Sequence, residues 1–390
     1  MLGAVAGSFL AGVLSTSYGR LTLLTGSQAV AAVFSVLSAF SQNIWQFLVL
    51  RAVLAASMEV STSMAQVYAV EMSPRNSRAL VSTGNFAFWS LGSFTAAGVS
   101  YLLLESAGWR AVLLVISVSL IVCAVCLGFQ HESPFYDVAS DKLVKAQETL
   151  DFIFKHNKTD NLPGLLVRHD DVEDPSSFKL SDIPRNRTFV MDTAILQLAT
   201  LSIFLTFGFT TWVVPRIVSE GYCIDNFIKK HSVESKCNAY SADTLLSLTI
   251  GTLGEIFGCL IFYVMMETIG RLWTMRIGCT AATVTTISLL MCGGAVKLTI
   301  DIFLMRLMNS GLFTTYLLYM NEYYPTHLRA MANSFSFGIG RTFSLTVIIP
   351  SFLLSMGQMW LLILYILIVD IIVTVLIFLL GKETKGLVLV

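Results

Sequence analysis

The sequence predicts an all-α membrane protein that crosses the bilayer about eleven times, and three observations carry that prediction. Of 390 residues, 55% are hydrophobic and only 13% charged, about half the charged share of a soluble domain. The apolar residues come in blocks of about twenty, the length that crosses ~30 Å of hydrocarbon. Lys and Arg gather at alternate breaks between those blocks, as the positive-inside rule requires of a multi-pass chain. The formal net charge of zero argues against a nucleic-acid binder, which carries a basic excess.

The spans follow in order. Residues 1–14 read as a first apolar run, shorter than the ~17 residues that a full crossing needs. Residues 22–40, 46–70, 79–104 and 111–129 are full-length runs. After a polar middle come 191–214, 244–266, 272–291, 299–320, 330–354 and 360–380. Backbone groups in lipid need internal partners, so unbroken runs must be helices rather than barrel strands. The division is an N-terminal bundle over 1–130, a linker over 131–189 and a C-terminal six-helix bundle over 190–390.

Between spans, Leu143, Ala146, Leu150 and Phe154 recur at helical spacing, predicting an amphipathic helix over 141–154. A polar stretch follows to Arg187, with Asn-x-Thr sequons at Asn157 and Asn186. Sixteen of the 25 basic residues fall on the linker side of the membrane, six on the other, and Arg51, Arg306 and Arg341 within spans. The linker and C-terminus are therefore expected in the cytosol, where the sequons stay unmodified. Cys223 and Cys237 share the exoplasmic loop, as a disulfide or as two free thiols. The Cys123-x-x-Cys126 pair lies in a span and reads as packing rather than redox or metal chemistry.

The chain also repeats itself. Shifted by 251 residues, Gly19-Arg20-Leu21 falls on Gly270-Arg271-Leu272. Tyr68, Glu71, Pro74, Arg78 and Ala79 fall on Tyr319, Glu322, Pro325, Arg329 and Ala330, and Glu132-Ser133 falls on Glu383-Thr384. One offset holding over three blocks marks two homologous halves.

These motifs and their order resemble the major facilitator superfamily, whose two halves enclose a midplane site. The Gly19-Arg20 and Glu267…Gly270-Arg271 loops, Glu71…Pro74…Arg78, Glu322…Pro325…Arg329 and the closing Glu132-Ser133-Pro134 and Glu383-Thr384-Lys385-Gly386 carry the likeness. Glu132-Ser-Pro-Phe-Tyr-Asp-Val138, Gly108-Trp109-Arg110, Trp89 and Glu255 point to its synaptic vesicle 2-related branch, in the sugar and organic-ion transporter group. On that alignment the family's first helix is missing and Met1 falls in the second, giving eleven spans rather than twelve.

The resemblance implies roles for particular residues. Gly19, Arg20, Glu71, Arg78, Glu267, Gly270, Arg271, Glu322 and Arg329 form a cytosolic gate, or simply anchor helix ends; the expected pairs are Arg20 with Glu71 and Arg271 with Glu322. Thr16 and Ser17 depart from the family's loop motif. Charges inside spans are functional candidates. Glu255, between Gly254 and Gly258, which are expected to leave room around it, is the leading candidate for solute or proton binding, with Arg306 and Arg341 as counter-charges, unless Arg306 pairs with Asp301. Glu59 is either a cavity acid, a neutral buried carboxyl or a partner of the missing helix. Arg51 starts a small-residue pattern, and Asp370 has no evident partner. Trp89, Phe207 and Tyr316 are candidate solute contacts, with Trp212 and Tyr319 behind them. No enzyme signature, metal site or cofactor motif is present. The expectation is a monomeric, lipid-embedded secondary or facilitative carrier of a small organic solute, with a proton or other ion as coupling species, in a vesicle or plasma membrane. The alternatives are a non-transporting binding protein of the same fold and an inactive truncated isoform.

Overall fold

Every predicted span is helical in the computed structural model of the chain, which describes residues 1–158, 187–214, 217, 242–291, 295–353 and 359–386. Helices α1 (Leu2–Ser17), α2 (Arg20–Ala39) and α3 (Ile44–Glu71) lead. The Asn43 side chain starts α3 by accepting from Gln46 N at 2.8 Å, an N-cap bond that satisfies one orphan donor. Helix α4 (Arg78–Leu127) contains two predicted spans. It breaks at Gly108, whose φ of 77° suits a residue without a Cβ; the two stretches are Arg78–Leu104 and Ser106–Leu127.

Two short helices follow, α5 (Pro134–Ala139) and α6 (Leu143–Asn157), the second covering most of the predicted amphipathic segment. Helix α7 (Arg187–Gly208) ends in a π-helical turn, Phe209–Val213. Then come α8 (Ala242–Thr268), α9 (Arg271–Leu290), α10 (Ala295–Tyr323), α11 (Thr326–Leu353) and α12 (Met359–Ile377). The proposed disulfide pair, Cys223 and Cys237, and the sequon at Asn186 lie outside the described residues. Cys123 and Cys126 are free thiols exposed on α4 rather than packed inside.

Among the described residues, seven stretches are long and apolar enough to cross a membrane by length and composition. Helices α9, α10 and α11 are less apolar because they carry polar groups into the interior. Helix α10 alone buries Asp301, Arg306, Asn309, Ser310, Asn321 and Glu322. The outside shows the reverse: Val33, Val122, Val264, Val284 and Val375 are exposed. An apolar exterior around a polar interior suits a lipid solvent.

The repeat is visible in the helices. Moved by 251 residues, α2 lands on α9 end for end, and α3 lands on α10. The two most extensive contacts between the N-terminal helices and the C-terminal ones are α1 with α11 and α4 with α8. The same shift carries α1 onto α8 and the start of α4 onto α11, so the two contacts are equivalent. The largest apolar cluster spans α7 to α12 and takes in Phe86 from α4.

Candidate functional site

At the end where α3 finishes, both halves repeat one set of bonds. The carboxylate of Glu132 accepts from Leu21 N at 2.9 Å and Thr22 N at 3.4 Å. Glu383 accepts from Arg271 N at 2.9 Å and Leu272 N at 3.0 Å. Each caps the positive N-terminus of the helix that follows the Gly-Arg motif. The φ of 92° at Gly270 favours glycine there, and a Cβ on Gly19 would lie 2.0 Å from the Glu132 carboxylate, which would have to move out of its capping position. Tyr68 donates to the His131 carbonyl at 2.6 Å, and Tyr319 to the Lys382 carbonyl at 2.7 Å.

The gate candidates sit inside this frame. Arg20 lies 3.5 Å from Glu71, and Arg271 lies 3.4 Å from Glu322, with all four side chains buried. Glu267 stands 3.7 Å from Arg271 on the outer side. Glu71 also meets Arg329 of α11 at 3.4 Å and accepts from Ser133 Oγ at 2.7 Å. It therefore ties the N-terminal helices to the C-terminal ones. Arg78 acts on Glu322 electrostatically from the opposite direction. The segment after α4 folds back beneath this cluster, placing the Tyr136 ring 4.7 Å under the Arg20 guanidinium. Burial pushes the neighbouring Asp137 carboxyl above its ordinary value; Glu132 adds to the rise, and Lys142 and Lys145 oppose it.

Deeper in, a cavity of about 600 Å³ lies between the halves. Thr62 of α3 and Phe86, Trp89 and Ser90 of α4 line one side. Phe204, Phe207 and Thr210 come from α7 and its π-helical turn, Glu255 from α8, Arg306, Asn309, Ser310 and Phe313 from α10, and Phe337 and Arg341 from α11. Phe313 meets Phe86, Phe204 and Phe337 edge-on at 4.7, 5.4 and 5.7 Å, a favoured aromatic geometry.

Glu255 is held by Arg306 at 2.6 Å, and Arg306 also donates to the Thr210 carbonyl at 3.3 Å. Asp301 instead takes Lys297 at 2.7 Å, which leaves Arg306 to Glu255. The flanking glycines do not open space around Glu255. A Cβ at Gly254 would sit 2.4 Å from the Phe303 carbonyl, and one at Gly258 2.2 Å from that of Leu307. They let α8 and α10 touch backbone to backbone, which fixes Glu255 opposite Arg306.

Other candidates are placed differently from expectation. Arg341 lines the cavity but pairs with Glu59 of α3, at 3.1 Å, rather than with Glu255. Glu59 is buried under that pair and does not line the cavity. Arg51 is exposed and stacks over Phe47 at 5.7 Å. Trp89 and Phe207 line the cavity, whereas Trp212 is exposed and Tyr319 is buried at the Glu71 end. Tyr316 faces a second cavity among α7, α9, α10 and α12, where it bonds Thr200. Asp370 lies in that second cavity as well. Sequence reasoning missed Phe86, Phe204, Asn309, Ser310, Phe313 and Phe337. Four of the α10 lining residues stand at i, i+3, i+4 and i+7 from Arg306, a helical face that could have been counted out from that charge.

Comparison with known proteins agrees with this architecture. The chain is 28% identical over 346 residues to the synaptic vesicle 2-related protein of Bos taurus, covering 87% of this chain and 62% of that protein. It is 27% identical over 346 residues to the Xenopus laevis protein of that name, with the same coverage. The chain thus spans about three-fifths of the length of these relatives. Among solved structures, the proton:xylose symporter XylE bound to 6-bromo-6-deoxy-D-glucose superposes with a TM-score of 0.70 at 14% identity, over 99% of this chain and 85% of the other; that likeness shows the fold. Residues 1–350 match the Major Facilitator Superfamily profile, and the chain belongs to that family.

Proposed function

We propose that the chain is a secondary or facilitative carrier, moving a small organic solute through the cavity between its two halves by alternating access. The observation that supports this most is the lining itself: aromatic rings and hydroxyl or amide groups from both halves surround about 600 Å³ beside the Glu255–Arg306 pair. Sites for small molecules are concave, mostly apolar and carry a few fixed polar groups. The two carboxylates nearest the cavity are each satisfied by an arginine, Glu255 by Arg306 and Glu59 by Arg341. The solute class that fits is therefore a small, flat molecule without net charge, held between rings and bonded by Asn309, Ser310 and Thr62. A cation would have to displace Arg306 from Glu255.

In this reading the domain division is residues 1–130, a linker over 131–189, and 190–390. The Glu71 end faces the cytosol, following the basic-residue bias, and a vesicle membrane follows from the synaptic vesicle 2-related relatives. The Glu71–Arg329 link closes the cytosolic end, and its opening is the conformational step. The chemistry is binding and conformational change, not catalysis of a reaction.

Counterflow in proteoliposomes tests the proposal with radiolabelled neutral, cationic and anionic organic solutes. The expected result is accumulation of one neutral solute, lost in Glu255→Gln and in Trp89→Ala. A solute that binds the protein but never crosses would overturn the carrier and leave a binding protein of the same fold.

A further inference from the structure

Asp370, in the middle of α12, is 5% exposed. Ser202 Oγ of α7 donates to its Oδ1 at 2.6 Å, and Thr286 Oγ1 of α9 lies 3.0 Å from its Oδ2. The two cavities that it lines, of about 370 and 290 Å³, carry no Lys, Arg or His. The titratable groups facing it are Cys279 from α9 and Tyr316 from α10; α7 presents only Ala199, Ser202, Ile203 and Thr206. Among the described residues, an ionised carboxylate here would be a buried charge without a counter-charge, which proteins avoid.

The hydroxyl count points the same way. Thr286 Oγ1 has one hydrogen but two acceptors in reach, Asp370 Oδ2 and the Ala282 carbonyl at 3.1 Å. With Asp370 ionised, that one hydrogen has to be shared between the two contacts. With a proton on Oδ2, the acid donates to Thr286 and Thr286 donates to Ala282, so every contact is a bond. Asp370 is thus built to hold a proton.

We infer that Asp370 is a proton-binding site enclosed by α7, α9, α10 and α12 and connected to the central cavity past Ile203 and Asn309. Ile203 lines all three cavities, and Asn309 lines both the central one and the smaller of the two at Asp370. When the site opens, the proton leaves Oδ2 for water in the central cavity, and the carboxylate that remains is solvated there. The site stands on its own geometry; its use to drive a carrier rests on the function proposed above.

Infrared spectroscopy of the full chain in lipid nanodiscs at neutral pH tests the assignment. The expected spectrum holds a protonated-carboxyl C=O band, shifted by H/D exchange, that disappears in Asp370→Asn. In Ser202→Ala the band persists at higher frequency, because its C=O oxygen has lost a donor; this variant decides the matter if Asp370→Asn fails to fold. Spectra of Asp370→Asn and wild type with the same carboxyl bands would overturn the proposal. So would loss of the wild-type band on adding NaCl, which would make this a cation site. The band is read without any solute, so failure of counterflow leaves it standing. Where counterflow works, Asp370→Asn should keep it and lose at least tenfold of uptake driven by a proton gradient.

Discussion

Replacing Arg329 by Gln should open the Glu71 end of the molecule without unfolding either half. Arg329 and Glu71 lie 3.4 Å apart, both essentially buried. At an effective dielectric of about 20 their attraction is about 5 kcal/mol. Roughly half or more is offset by desolvation of the two charges, leaving about 2 kcal/mol. After the substitution Glu71 still has Arg20 at 3.5 Å and Ser133 at 2.7 Å, so no carboxylate is stranded. What is lost is the ion pair between α3 and α11 at this end, while Glu59–Arg341 remains deeper in. A change of about 2 kcal/mol moves the balance between closed and open about thirtyfold, within the range of measured couplings. Spin labels at the exposed positions Gln130 and Thr268, in a cysteine-free background, would read it as a distance distribution. Arg329→Gln should transfer population to the longer distance. Arg20→Gln, which breaks a link within one half, should lower the melting temperature and leave the distances alone. Unchanged distances in Arg329→Gln would refute the reasoning and reduce the network to an anchor of helix ends.

Three further outcomes are expected. Glu132→Gln and Glu383→Gln each weaken an N-terminal cap and should each cost about 1–2 kcal/mol, read as similar drops in melting temperature because the bonds are equivalent in the two halves. Gly258→Ala forces a methyl group to within 2.2 Å of the Leu307 carbonyl. It should part α8 from α10, destabilise by about 1–3 kcal/mol and abolish solute binding; a wild-type melting curve would show that the helices have room. The raised value at Asp137 means that the folded state binds its proton more tightly than the unfolded chain does. Its contribution is then fully present below about pH 4, the ordinary carboxyl value, and is lost as pH rises through the raised folded value. The protection of α5 amides, corrected for the intrinsic base-catalysed exchange rate, should fall over that interval in the wild type and stay flat in Asp137→Asn.

Much of this was legible in the residues. Apolar runs located the helices to within a few positions, since an unbroken apolar run satisfies its own backbone in lipid as a helix. The 251-residue offset foretold that Arg20–Glu71 and Arg271–Glu322 are equivalent, because both pairs lie between neighbouring helix ends. What failed was azimuth and long range. Tyr316 shares a face of α10 with Met305 and Leu312, about a quarter of a turn from Arg306 and Phe313, and that quarter turn sends it to the second cavity. Glu59 and Arg341 are 282 residues apart; no local pattern joins them, and their pairing depends on how α3 meets α11. The glycines beside Glu255 read as empty space, whereas helix contact fills them.

The two ion pairs between α3 and α11 show what charged contacts add to the apolar ones where the halves meet. Glu59–Arg341 and Glu71–Arg329 are each twelve residues apart along their helices, about 18 Å at 1.5 Å per residue. The two helices run antiparallel, so one pair lies near mid-helix beside the cavity and the other at the end. An apolar contact gains little over lipid, which solvates the same surface equally well. A charge pair is different: parting it in hydrocarbon is prohibitive, but parting it beside water is not. The terminal pair can therefore break when water enters from its own end, while the central pair breaks only when the cavity is wet. In the carrier proposed above, a solute that dries the cavity would hold Glu59 to Arg341 and leave Glu71–Arg329 the freer of these two pairs to open, which would couple occupancy to the direction of opening through two ion pairs on one pair of helices.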